Sequence, residues 1–156
     1  MSDIDGKARA CLKDALIKYM TLEMSSYTFD EIATDVSKTS DDSVRRISGV
    51  LYSLYDDTID HAISVSPDDW ATLRRIIAFL ATDLEIRTTE KQDSWPFADA
   101  DEWLAQEHFV VEIGLPSYDP EVHGRQVHRW DWIPTGVGLA LLFAIVVVAI
   151  AAAFLS

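Results

Sequence analysis

From Gly136 to Leu155 the chain carries no charged or ionisable side chain. The run reads Gly-Val-Gly-Leu-Ala-Leu-Leu-Phe-Ala-Ile-Val-Val-Val-Ala-Ile-Ala-Ala-Ala-Phe-Leu. At about 1.5 Å of rise per residue, roughly twenty helical residues cross the ~30 Å hydrocarbon core of a bilayer. A helix that is apolar on every side is buried in a large protein or spans lipid. The rest of a 156-residue chain is too small to wrap it. The run therefore predicts one C-terminal transmembrane helix over 133–155. Trp130 and Trp132 stand just before it, where indoles favour the membrane interface. Gly136, Ala140 and Ala144 share one face at four-residue spacing, a pattern that lets helices approach closely in lipid. That face predicts packing against another membrane helix or a second copy of this chain.

All the charge lies before the run, so the N-terminal part carries the whole formal net charge of −13. Such a surface repels nucleic-acid backbone and anionic headgroups and suits a basic protein partner. The start, Met-Ser-Asp-Ile-Asp-Gly-Lys, lacks the basic and apolar regions of a secretory signal. The C-terminal run is therefore expected to stay in place rather than be exchanged for a lipid anchor. Arg125 and Arg129 precede it and only Ser156 follows, which predicts a cytoplasmic N-terminal domain. The single cysteine, Cys11, excludes an internal disulfide and falls at an apolar helical position, where a buried side chain is expected.

The predicted fold is mainly α-helical: a small bundle with room for a short β element, followed by the membrane helix. Ala8, Cys11, Leu12, Ala15, Leu16 and Tyr19 recur at helical spacing within a first helix from about Ile4 to Met24. Thr28 and Glu31 have the spacing of a capping box at the start of a second. Ser40 or Asp41 caps a third, whose stripe is Val44, Ile47, Leu51, Leu54 and Tyr55. Ser66-Pro67-Asp68-Asp69 is a strong start signal for a fourth. Leu84–Thr89 reads as a strand or a frayed helix end. Asp99-Ala100-Asp101-Glu102 starts a short helix through Glu107. Val110, Val111 and Ile113 give Phe109–Leu115 strand character. The domains are thus a helical body over 1–115, a juxtamembrane linker over 116–132 and the anchor.

Four patterns bear on chemistry. Asp56-Asp57-Thr58-Ile59-Asp60 resembles the DDxxD motif of isoprenoid synthases, in which carboxylates one helical turn apart hold Mg²⁺ against a diphosphate. That resemblance implies a second metal motif on a facing helix, but Ile76 stands where its glutamate belongs, and the chain is too short to enclose the cavity. Asp99-Ala100-Asp101 resembles the DxD of some glycosyltransferases, and helix capping accounts for it equally. Thr28–Leu54 resembles a bacterial helix-turn-helix, with Arg45 and Arg46 as phosphate contacts, but its turn lacks glycine and the domain is acidic. His123 and His128, five apart near Glu121, fall short of the four ligands of a structural zinc site. No Gly-rich phosphate loop, nucleophile elbow or Cys-x-x-Cys occurs.

These observations predict no enzyme, no cofactor and no nucleic-acid partner. They point to a tail-anchored adaptor or accessory subunit of a membrane complex, with Asp56, Asp57 and Asp60 as an acidic docking patch. Two alternatives are an immunity-type neutraliser of a basic toxin and a metal-dependent enzyme built on that aspartate cluster. A membrane-tethered transcription factor stands fourth.

Overall fold

The computed structural model describes residues 3–53 and 60–124. The chain divides into Met1–Arg125 and Gln126–Ser156, and all described residues belong to the first unit. They form helices α1 (Gly6–Met20), α2 (Ser26–Val36), α3 (Asp42–Tyr52), α4 (Pro67–Leu80) and α5 (Ala100–Ile113), with no strand among them. Among the described residues no helix is long and apolar enough to cross a membrane. The run Gly136–Leu155 lies outside them, as do Trp130, Trp132, Gly136, Ala140 and Ala144.

α1 is capped by Asp5, whose carboxylate accepts from the backbone N–H groups of Lys7 and Ala8. It buries Ala8, Arg9, Leu12, Ala15, Leu16, Tyr19 and Met20. At about 100° per residue, Arg9 falls between Leu16 and Met20 on that arc, and Cys11 falls off its opposite edge. Cys11 is accordingly exposed rather than buried. The helix stops at Met20, short of the expected Met24, because Leu22 takes a left-handed conformation at φ 64°. The Leu22 N–H then donates to the Tyr19 carbonyl and the Glu23 N–H to the Lys18 carbonyl, closing the end as a Schellman turn.

α3 begins on Asp41, which accepts from Ser43 and Val44 N–H. α4 begins on a full capping box between Ser66 and Asp69, with Pro67 in its first turn. α5 begins on Asp99, which accepts from Glu102 N–H at 2.8 Å. It does not end at Glu107, and no strand follows. The helix runs through Val110 and Val111 to Ile113 and stops at Gly114, left-handed at φ 69°. The β-branched residues sit in a helix because packing decides: Val110 is buried against the body. Between α4 and α5, Leu84–Thr89 is neither strand nor helix. It is an extended segment held by side chains, with Ser43 Oγ accepting from Ile86 N–H and Arg46 donating to the carbonyls of Ile86 and Thr88.

α1 is the central helix and packs on α2, α3 and α4, while α5 covers α4. Leu12, Leu16, Ile47, Ile76, Ile77 and Phe79 are wholly buried at the centre. Trp95 and Phe97 join the same core from the α4–α5 connection. Residues 116–124 also fold onto this body. Tyr118 Oη donates to the Val65 carbonyl, and Val65 N–H donates to the His123 carbonyl.

Candidate functional site

The acidic cluster divides at the limit of the described residues. Asp56 and Asp57 lie outside them. Asp60 lies inside and already has a task. Its Oδ1 accepts from Tyr27 N–H at 3.1 Å and from Ser26 Oγ at 3.3 Å. The neighbouring His61 carbonyl accepts from Ser26 N–H, and its own N–H donates to Ser26 Oγ. The first turn of α2 is therefore satisfied by a segment more than thirty residues away in sequence. The expected Thr28–Glu31 capping box does not form, because Thr28 already lies inside α2. The hydrogen bond from Tyr27, followed by those from Ser25 and Ser26, holds the Asp60 carboxyl below its ordinary range. Asp60→Asn keeps an acceptor but loses the charge at a helix N-terminus. It should lower the thermal midpoint, and the loss should shrink as pH falls and the wild-type carboxylate protonates. An unchanged midpoint at pH 7 would remove this role.

The two arginines of the helix-turn-helix resemblance are also engaged. Arg45 pairs with Asp42 on its own helix, at 2.8 Å. Arg46 reaches across to the 86–90 segment, with Glu90 at 3.1 Å. Asp99 caps α5, so the DxD pair is structural at its first member. Among the described residues no three His, Cys, Asp or Glu side chains are placed to hold a metal. His128 lies outside the described residues.

Two shallow grooves lie beside α2. One, about 330 Å³, lies between α2 and α3 and is lined by Ala33, Thr34, Ser37, Arg45, Ser48, Gly49 and Tyr52. Its floor holds the buried Ser48 Oγ, which has no hydrogen-bond partner. The other, about 280 Å³, lies between α1 and α2 and contains Cys11 with Glu31, Ile32, Asp35 and Val36. The remaining feature is α5, where Leu104 (61% exposed) and Val111 (70% exposed) stand two turns apart on one face. Open grooves and a half-apolar helix face suit contact with another protein better than enclosure of a small substrate.

The structure also assembles a site that sequence spacing could not reveal. His123 is buried and stacks on Trp70, ring centroids 4.2 Å apart. Its Nδ1 accepts from the Asp119 N–H at 3.0 Å, and its own N–H donates to the Asp119 carbonyl at 2.7 Å. A Cβ at Gly124 would meet the Pro120 carbonyl oxygen, so the turn admits only glycine there. Tyr118 meets Trp70 edge-on at 6.0 Å.

Compared with protein families, curated proteins and solved structures, the chain matches none.

Proposed function

We propose that the chain is a tail-anchored, single-pass membrane protein whose cytoplasmic helical body serves as a non-enzymatic adaptor or accessory subunit. The observation that carries this reading is the uncharged run Gly136–Leu155 following a folded, strongly acidic body. Eleven residues (125–135) separate Gly124 from the run, and such a segment reaches at most about 40 Å when extended. The small-residue face of Gly136, Ala140 and Ala144 is the proposed contact with a neighbouring helix. Asp56 and Asp57 are the proposed contacts with a basic partner. Asp60 belongs to the same patch but is engaged in capping α2, so it stays out of the binding test.

The test has two stages on the full-length protein. Membranes are washed in alkaline carbonate, which strips peripheral proteins. The chain should remain with the lipid, and deletion of 136–155 should release it; release of the intact chain would overturn the anchor. The protein is then purified in mild detergent. Membrane subunits co-purifying in fixed ratio support the accessory role. For a basic subunit so identified, Asp56→Asn with Asp57→Asn should weaken binding roughly two- to thirty-fold, since exposed charge pairs contribute about 0.2–1 kcal/mol each. Unchanged binding would remove the electrostatic docking. A chain purified alone would favour the neutraliser, or, if it bound Mg²⁺ and lost that binding in Asp57→Asn, the enzyme.

A further inference from the structure

We propose that His123 is an acid-sensitive latch, whose protonation opens the turn 119–124. A ring nitrogen that accepts from a backbone N–H must be bare, so the closed turn requires the neutral ring with its proton on Nε2. Protonation places a second N–H on Nδ1, facing the Asp119 N–H across 3.0 Å. Two donors then point at each other and the bond is lost.

His123 is only 4% exposed, so water cannot solvate it. The stacked Trp70 face offers a cation–π attraction, which is smaller than the cost of burying a charge. The acids carried by neighbouring segments are Asp119 and Glu121 on the turn, Asp68 and Asp69 on the first turn of α4, and Glu112 near the end of α5. The other titratable or charged side chains on these segments, among the described residues, include His61, Tyr118, Arg75 and Arg74, the last one turn beyond Trp70 on α4 with its Nε buried and without a hydrogen-bond partner among the described residues. Asp119 is occupied by the Glu121 N–H, and Asp69 by Ser66. These carboxylates favour a positive ring, but in the closed turn the Nδ1 position faces the Asp119 amide. Opening lets the imidazolium reach water and these acids together.

The latch holds more than its own turn. The His123 carbonyl accepts from Val65 N–H at 2.9 Å, and the Gly124 carbonyl accepts from Ser64 Oγ at 3.3 Å.

Amide hydrogen exchange on the full chain in mild detergent tests the latch, expressed as protection factors so that intrinsic exchange cancels. Between about pH 8 and pH 5, where histidines change charge, protection at Val65, Asp119 and His123 should fall at least tenfold relative to α1 and α3. His123→Asn places an amide oxygen where Nδ1 stood, so its protection should not change with pH. His123→Ala should be open at both values. In the wild-type protein at pH 8, the ¹⁵N shift of Nδ1 should be that of a bare, accepting nitrogen. A protonated Nδ1 at pH 8, constant wild-type protection, or a His123→Asn variant that opens in acid would each overturn the latch. Release from carbonate-washed membranes would overturn the anchor and leave these readouts untouched.

Discussion

Replacing Arg9 by methionine is expected to destabilise the helical body by about 3–5 kcal/mol, measured by guanidinium unfolding. Against a typical domain stability of about 5–15 kcal/mol, that is a third of the total or more. Arg9 and Asp41 are both buried, and the guanidinium grips the carboxylate with two nitrogens: Nε to Oδ2 at 2.7 Å and Nη2 to Oδ1 at 3.3 Å. Nη1 donates to the Thr82 carbonyl at the end of α4. The guanidinium carbon also lies 5.5 Å from the centre of the Phe79 ring. Asp41 in turn caps α3 and accepts from the N–H of Asp5, the cap of α1. One ion pair therefore joins the starts of α1 and α3 to the end of α4. Methionine fills the space of the stem but leaves the carboxylate buried without its cation. Asp41→Asn should cost much less in the Arg9→Met background than in the wild type, because the amide keeps the caps and there is no longer a charge to neutralise. Equal costs in both backgrounds would show that the two residues act independently.

The same pair sets an acid dependence. Burial pushes the Asp41 carboxyl up, but the hydrogen bonds and charge of Arg9, with the Asp5 and Val44 N–H groups, outweigh it and hold it below its ordinary range. A carboxyl depressed in the folded state contributes its stability fully above the unfolded value of about 3.9 and loses it as pH falls through the folded one. Asp5, held down by the Ala8 N–H and the Thr39 hydroxyl, acts in the same direction, as does Asp60. Unfolding should therefore steepen below about pH 4.

Sequence spacing made visible those starts whose partners are close in the chain. Ser66 and Asp69 are three apart, as are Asp99 and Glu102, and both starts form as expected. Asp41 was one of two candidates for the α3 cap, and the structure selects it. The start of α2 was misplaced because its acceptors, Asp60 and His61, come from a distant segment. The end of α1 was misplaced because leucine rarely takes the left-handed conformation that Leu22 adopts. Arg9 stood on the apolar arc throughout, but a charged side chain reads as surface until its partner Asp41 is known. The helical end of α5 was hidden by β-branched residues whose local preference is weaker than the packing of Val110. The candidate site was legible in charge alone. Nothing in the spacing of His123 and Trp70 announces that they stack.

Phe97→Ala is expected to cost about 3–5 kcal/mol, because the ring is wholly buried. In sequence, Trp95-Pro96-Phe97 and Trp103 read as buried core by default, with an exposed contact patch as the alternative. The structure turns the first three residues inward. Phe97 meets Phe79 edge-on at 5.5 Å and Trp103 at 5.6 Å. The Trp95 carbonyl accepts from Arg75 Nε at 3.0 Å, tying the segment to α4. Aromatic pairs add about 0.5–1.5 kcal/mol beyond their buried area, so losing this ring removes contacts on two sides. Leu104→Ala, on the exposed face of α5, should change stability by about 0.5 kcal/mol or less. The pair of variants separates the two roles a hydrophobic segment can have. If Phe97→Ala left the unfolding midpoint in place while Leu104→Ala shifted it, the inward and outward faces would have been assigned the wrong way round. If both behave as expected, the outer face of α5 is among the apolar surfaces open to a partner.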